Sequence, residues 1–299
     1  MAKPKQQVAI VVPLSDRPQL TADELISLRH LVHFLGDYPK YLVGSRETGI
    51  EIPGFEMKRF SRRYFGSADA YKRLVLSRHF YTSFAAYEYI LIYHLDALVF
   101  SDQLREWCDA GFDYVGAPWL RSEDDPTQGF SRVGNSGFSL RNVSAALRVI
   151  DSRRYRIHPN EYWENAHAAK PWHLRLVNRP RKWAKYVTRL NGARREMSRY
   201  RANDDGFWSK RAQHYCPDFR IPSVETALPF AFECAPRYCY EQNGRHLPFG
   251  CHAWARYDRA FWEPFLLSES DAPAVLDPGE PIVARSSRPL GLRAGADAT

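Results

Sequence analysis

The segment Val8-Ala9-Ile10-Val11-Val12 is unbroken in apolar, mostly β-branched side chains and ends at Pro13. A strand with one wet face alternates polar and apolar residues, so a run without a polar member belongs in a sheet covered on both faces, the setting of parallel strands. Thr21 then opens an amphipathic helix. Glu24 completes a capping box, Leu25, Leu28, Leu31, Val32 and Leu35 share one face, and Gly36 stops it. Strand followed by helix is half of a βαβ unit, and the alternation continues. Tyr41-Leu42-Val43 reads as a strand, Ser67 to Phe84 as a helix with Asp69 in its first turn, and Tyr89-Ile90-Leu91-Ile92-Tyr93 as another buried strand. A short helix from Ser101 to Ala110, ended by Gly111, leads to a strand over Phe112 to Gly116. To about Ile150 the pattern predicts an α/β chain with a Rossmann-type mixed, mostly parallel sheet flanked by helices.

With 299 residues, 44% of them hydrophobic, the chain can bury one large core. No run approaches the roughly 20 apolar residues of a membrane span, and Met1 to Gln7 precedes only a short apolar stretch, so a soluble chain without a secretory signal is expected. The five cysteines are odd in number and no two are spaced by two residues, which predicts a reducing cytoplasm rather than a disulfide framework. Cys216, Cys234, Cys239 and Cys251 lie near His214, His246 and His252, in spacings that match no common zinc pattern.

The net charge of +8 is concentrated. Between Lys170 and Arg201, within a basic helical insertion at about 153–201, Glu196 is the one acid among many Lys and Arg, interleaved with Trp172, Trp183, Tyr186 and Tyr200. Two readings follow. Trp183, Tyr186 and Leu190 share helical spacing and could pack on the core, or the segment 170–201 meets an anionic membrane surface, which would make the chain peripheral on the inner face of a membrane. A nucleic-acid partner finds no recognition motif, so no specific nucleic acid is expected. From Ser268 onward Pro, Ser, Ala, Gly and charge dominate, which predicts a folded unit over 1–267 and a disordered tail over 268–299.

Four segments carry chemistry. The strand Tyr89 to Tyr93 runs into His94-Leu95-Asp96, which sets an acid at the carboxyl end of a buried strand, where open parallel sheets bind ligands; a satisfied turn aspartate is the plain alternative. In Val133-Gly134-Asn135-Ser136-Gly137-Phe138-Ser139-Leu140-Arg141 the glycines allow two segments to approach closely. The adjacent acids of Asn203-Asp204-Asp205-Gly206 repel, so they need a metal, hydrogen-bond donors, solvent or a shared proton, unless they simply open an exposed helix. His252 sits in Leu247-Pro248-Phe249-Gly250-Cys251-His252-Ala253-Trp254; a lone histidine is more often structural.

In this order, the segments Tyr93 to Ala97, Tyr114-Val115-Gly116-Ala117-Pro118-Trp119, Gly134 to Arg141, Asn203 to Ser209 and Phe249 to His252 resemble glycosyltransferase-like proteins of the GT-A fold, in a group catalogued as a domain of unknown function. The similarity runs from about Val8 to Trp262. It implies a GT-A-like fold and transfer of a sugar from a nucleotide-sugar donor to a glycan or lipid-linked saccharide acceptor, with inversion, as in polysaccharide biosynthesis. Asp96 matches the last acid of the Asp-any-Asp motif that holds Mn²⁺ or Mg²⁺ against the donor diphosphate, and His94 stands where the first acid would be. His252 resembles the late histidine that completes the metal site. By the same resemblance Asp205 is the catalytic base, Asp204 binds sugar or acceptor, and Gly134, Asn135, Ser136 and Gly137 lie beside the donor sugar. Lys72 and Arg73, on the helix before the Asp96 strand, would contact donor phosphates if they point inward. The alternatives are a basic protein that binds nucleic acid or a membrane surface, and an inactive relative that binds sugar nucleotides. A nucleotidyltransferase would want a glycine-rich phosphate loop where Pro13-Leu14-Ser15-Asp16-Arg17-Pro18 stands.

Overall fold

The computed structural model describes residues 6–15, 17–167, 169–187 and 192–268, without the side chains of 185–187. In chain order the strands are β1 (Gln6–Pro13), β2 (Lys40–Ser45), β3 (Phe55–Phe60), β4 (Tyr87–Tyr93), β5 (Leu98–Val99), β6 (Tyr114–Gly116), β7 (Pro118–Leu120), β8 (Phe130–Val133), β9 (Phe138–Asn142), β10 (Ala231–Phe232) and β11 (Gly250–Cys251). The helices are α1 (Ala22–Leu35), α2 (Ala68–Val75), α3 (Arg78–Ser83), α4 (Leu104–Asp109), α5 (Val143–Ile150), α6 (Pro159–His167), α7 (Trp172–Val187), α8 (Ala193–Arg199), α9 (Asp204–Tyr215), α10 (Val224–Ala227), α11 (Pro236–Gln242) and α12 (Arg259–Trp262).

Six strands form the central sheet in the order β3-β2-β1-β4-β9-β6. The first four pair in parallel, while β9 runs antiparallel to β4 and β6, so the sheet is mixed and mostly parallel, with helices packed against it, as the alternation predicted. The apolar runs are its centre: Ile10, Val11 and Val12 of β1 and Ile90, Leu91 and Ile92 of β4 have no exposed surface. Each such side chain contributes about 1.5–3 kcal/mol by leaving water. Because β1 is hydrogen-bonded to β2 on one side and β4 on the other, the carboxyl ends of β1 and β4 form the switch point where such sheets hold ligands.

Local structure departs from the sequence reading where short-range chemistry intervenes. The helix at Thr21 has its capping box, Thr21 N–H donating to the Glu24 carboxylate at 2.7 Å and Glu24 N–H to Thr21 Oγ1 at 3.3 Å, and Leu28, Leu31 and Leu35 are buried. Leu25, however, lies 39% exposed at the margin of the face. The helix expected from Ser67 to Phe84 is two: Ser77 Oγ accepts the Phe80 N–H at 3.1 Å, which caps α3 and ends α2 at Val75. The helix expected from Ser101 starts at Leu104, with Gln103 in the cap position, and the strand expected from Phe112 starts at Tyr114. The edge strand β3 had no counterpart in the sequence reading, since Glu56, Lys58 and Arg59 break its apolar signal. The insertion folds as α6, α7 and α8. Trp183 is 63% exposed, which overturns its packing on the core; the side chain of Tyr186, Leu190 and the tail beyond Ser268 lie outside the described residues. No helix among the described residues is long and apolar enough to cross a membrane.

Candidate active site

The site is delivered by two sheets. From the central sheet, β4 ends at Tyr93 and hands His94 to the switch point, where its backbone N–H donates to Gly137 O at 2.8 Å. The second sheet is small, in the order β10-β11-β5, and its register sets three more side chains at one edge. Cys251 pairs with Leu98 across the antiparallel ladder and with Phe232 across the parallel one. His252, following β11, is thereby brought beside Asp96, which precedes β5, and Glu233, which follows β10.

His94, Asp96 and His252 converge with their ligand atoms within 4.8 Å of one another. His252 Nε2 lies 3.2 Å from Asp96 Oδ1 and Nδ1 lies 2.8 Å from Glu233 Oε1. Burial acts to lower the His252 pKa, but the carboxylates on either side of the ring outweigh it and raise it to about 10. Burial, helped by the charge of His252, pushes His94 down to about 4, so its imidazole is neutral at physiological pH. Asp96 resists its own desolvation and is lowered to about 2 by the two histidines. The Nε2 atoms of both rings are buried without a well-aligned hydrogen bond. With a metal in place of the proton that His252 holds at Nε2, two such imidazole nitrogens around a carboxylate are a donor set for a divalent transition metal, and Glu233, on the other ring nitrogen, would orient that histidine. The five cysteines are free thiols and none belongs to this cluster, so the late cysteines and histidines form no zinc group among the described residues.

A cleft of about 630 Å³ opens beside the cluster, lined by Leu14, Ser15 and Arg17 after β1, Tyr71 of α2, His94 and Asp96, and Trp254 and Arg256 after β11. Its size suits a nucleotide-sized ligand. Pro13, Leu14, Ser15 and Arg17, from a segment without the glycines of a phosphate loop, form one wall. Arg17, ion-paired to Glu24, and Arg256, stacked 5.1 Å over Tyr257, are the cleft's cations, and sequence reading missed both. Lys72 and Arg73 do not line it. Lys72 Nζ pairs with Asp69 at 2.6 Å, and Arg73 faces a separate cavity with Arg63 and Arg194. One helical position decides this, because each residue turns about 100° around the axis: Tyr71 points at the cleft, with its ring 5.5 Å from that of His94 and its hydroxyl buried without a partner.

On the Ser136 side of the cluster lies the acidic pair. Asp204 and Asp205 open α9 and are both buried. Asp204 faces partners on both oxygens: Oδ1 accepts from Ser136 Oγ at 2.5 Å, and Oδ2 is ion-paired 2.8 Å from Arg141 Nη2 without a well-aligned hydrogen bond. Arg141, itself buried in β9, also donates to Ser139 Oγ at 3.1 Å and Tyr81 OH at 3.3 Å. Among the described residues Asp205 has no cation at contact distance, and its Oδ1 accepts the Gly206 N–H at 2.7 Å. Burial, with the charge of Asp204 added, pushes its carboxyl up to about 6. An acid poised there is ionised at neutral pH yet basic enough to take a proton.

The glycine segment is the spacer between the two halves. A Cβ on Gly137 would lie 1.9 Å from His252 Nε2, and one on Gly134 2.0 Å from the Trp119 ring. Asn135 adopts φ 74°, its Oδ1 accepting the N–H groups of Gly137 at 2.8 Å and Phe138 at 2.9 Å while its carbonyl accepts Tyr114 OH. Thus the structure brings His94, Asp96, His252, Asn135, Ser136, Gly137, Asp204 and Asp205 together, with Gly134 behind Trp119, and leaves Lys72 and Arg73 out. Arg141 and Glu233, which hold the others, carried no sequence signal of their own beyond a polar residue at a strand and a strand end.

Solved structures with a similar course of chain include the glycosyltransferase GlyE of Streptococcus pneumoniae TIGR4 in its apo form, 14% identical, covering 91% of this chain and 62% of that one, with a TM-score of 0.39. The galactosyltransferase LgtC, in complex with donor and acceptor sugar analogs, is 14% identical over 86% of this chain and 93% of that one, TM-score 0.43. Mouse xyloside xylosyltransferase 1 is 13% identical over 83% and 97%, TM-score 0.41. The chain therefore spans 62% of the length of GlyE, and likenesses at this level bear on neither substrate nor reaction. No curated protein matches the sequence. Residues 54–252, which include every residue of the cluster and of the acidic pair, match the family described as Protein of unknown function (DUF5672), and the chain belongs to that family.

Proposed function

We propose that this chain is a metal-assisted glycosyltransferase that moves a sugar from a nucleotide-sugar donor to a glycan or lipid-linked saccharide acceptor, with inversion. One observation carries the reading: the His94, Asp96 and His252 cluster borders a nucleotide-sized cleft at the switch point and is joined through Ser136 and Gly137 to a buried acidic pair in which Asp205 has a raised pKa. Transfer from a sugar nucleotide needs these two things on opposite sides of the reacting carbon. The leaving diphosphate needs its charge stabilised, and the acceptor hydroxyl needs a base.

The residues fit a divalent cation, since His94 Nε2 is buried, neutral and without a hydrogen bond, and His252 and Asp96 face the same point. Two imidazoles and one carboxylate favour Mn²⁺ over Mg²⁺, which prefers an all-oxygen shell. When bound, such an ion supplies Lewis-acid stabilisation of the departing diphosphate. Glu233 orients His252, Arg17 and Arg256 add positive charge along the cleft, and Tyr71 offers a hydroxyl to the donor. Asp205 takes the proton of the attacking hydroxyl. Asp204, held by Arg141 and Ser136, keeps its negative charge beside Asp205 and so keeps that base strong.

Thermal stability is the test, measured against a panel of nucleoside diphosphates and nucleotide sugars with and without Mn²⁺. A ligand at 100 times its Kd adds about 2.7 kcal/mol. The reading expects a shift for one base that depends on Mn²⁺, and Asp205→Asn should abolish sugar transfer while leaving nucleotide affinity within a few fold. A flat panel would refute it.

A further inference from the structure

We propose that α7 is an in-plane helix that docks this protein on an anionic phospholipid surface, apolar arc inward and cations at the headgroups. This holds independently of the reaction proposed above. It rests on α7, where Trp172, Leu176, Val177 and Trp183 gather on one arc and face water, with His173 among them and Leu174 apart from them.

At about 100° per residue, Trp172, Leu176 and Trp183 fall within one narrow stripe of the helix, and Pro180 and Val177 extend that stripe to an arc of well under half the circumference. Arg175, Arg179 and Lys182 border the arc on one side and Arg181 on the other. In a helix that packs on its own protein, such an arc is the buried face. Here it is the opposite: Trp172, Leu176, Val177 and Trp183 are 56–76% exposed. An apolar arc left in water, with Trp residues near both ends and cations on its flanks, has the composition of a helix lying at a bilayer interface.

The charge says which apolar phase it meets. α7 contains no acidic residue. Glu196, the one acid between Lys170 and Arg201, is turned away: it is buried in α8, accepting the Tyr215 hydroxyl and pairing with Arg211 at 3.2 Å. A second copy of this chain would bring its own cations against these and repel. An anionic lipid surface complements them, because Arg side chains at the edges of the arc can lay their alkyl stems along it and extend their charged ends to phosphates. Lys182 lies 5.9 Å over the Trp163 ring and so ties α7 to α6 rather than to the lipid.

The experiment is co-sedimentation of the full chain with vesicles of phosphatidylcholine alone and with vesicles that include phosphatidylglycerol. The expected result is capture by the anionic vesicles only, weakening as salt rises. A variant with Arg175→Gln, Arg179→Gln and Arg181→Gln should lose roughly fivefold in partitioning for each cation removed, the equivalent of ~1 kcal/mol per charge. A second variant, Trp172→Ser with Leu176→Ser and Trp183→Ser, keeps every charge and should still lose binding at low salt. All substituted side chains are on the helix surface, so both variants should melt as the parent does, which separates lost binding from lost folding. No capture by anionic vesicles at low salt would overturn the proposal. So would full binding by the serine variant, which would reduce the contact to unspecific ionic attraction shared with nucleic acid. A light-scattering shift from dimer to monomer in the serine variant, with vesicle binding unchanged, would assign the arc to a second copy instead.

Discussion

Asp205→Asn should make this protein more stable at neutral pH, and the size of the gain follows from the pKa of one carboxyl. The native state holds Asp205 at about 6 against an ordinary 3.8, chiefly through burial and secondarily through the charge of Asp204. At ~1.4 kcal/mol for each tenfold, keeping that acid ionised in the fold costs on the order of 3 kcal/mol. The sign follows from proton counting. Between pH 3.8 and 6 the folded chain holds a proton that the unfolded chain has released, so the contribution of this carboxyl to stability falls as pH rises through that window and levels off above it. The amide keeps the shape and the acceptor for the Gly206 N–H, and it has no charge to desolvate. The difference between variant and parent should therefore be near zero below pH 4, open between pH 4 and 6, and level off at about 3 kcal/mol. For a chain of this length that is about 6 °C in Tm.

Urea unfolding of both proteins from pH 3.5 to 8 measures it. Taking the difference removes every other titrating group, including His94, Asp96 and His252, which both proteins share. A variant that is equally or less stable at pH 7.5, or a difference that opens outside the pH 4–6 window, would refute the claim that Asp205 is ionised against its surroundings. The same substitution should abolish transfer, so stability and activity move in opposite directions, as they do where a fold holds a group in an unfavourable state for the sake of its chemistry.

The neighbouring substitution should do the reverse. Asp204→Asn strands the buried Arg141 guanidinium, at a cost of about 3–5 kcal/mol in urea unfolding at pH 7, because a buried charge loses its partner. Gly137→Ala should leave the sheet intact by circular dichroism but remove stabilisation by Mn²⁺, since the added Cβ would occupy the place of His252 Nε2. Glu233→Gln should weaken Mn²⁺ affinity by about 10- to 100-fold in calorimetry, because the carboxylate that orients His252 is lost.

Strands β1, β2 and β4 of the central sheet were legible because burial on both faces leaves a continuous apolar run, and the end of β4 located His94 and Asp96. His252 was legible only through its resemblance to a motif. Nothing in two-residue strands such as β10 and β11 announces that they pair, so the edge that joins Asp96, His252 and Glu233 exists only in the folded chain. Tyr71 and Lys72 show the limit of helical reading in another way: a correct helix still leaves its rotation open, and rotation decides which side chain meets the ligand. Arg141 was closer to being readable. In Phe138-Ser139-Leu140-Arg141-Asn142, period-two alternation puts Phe138, Leu140 and Asn142 on one face and Ser139 and Arg141 on the other. An arginine on the buried face of an inner strand requires a carboxylate within reach, since an unpaired cation there would cost more than most folds can bear. By resemblance the sequence reading gave proton transfer to Asp205 and sugar or acceptor binding to Asp204. Its place opposite Arg141 makes it the anchor of the acidic pair, not a group free to bind sugar.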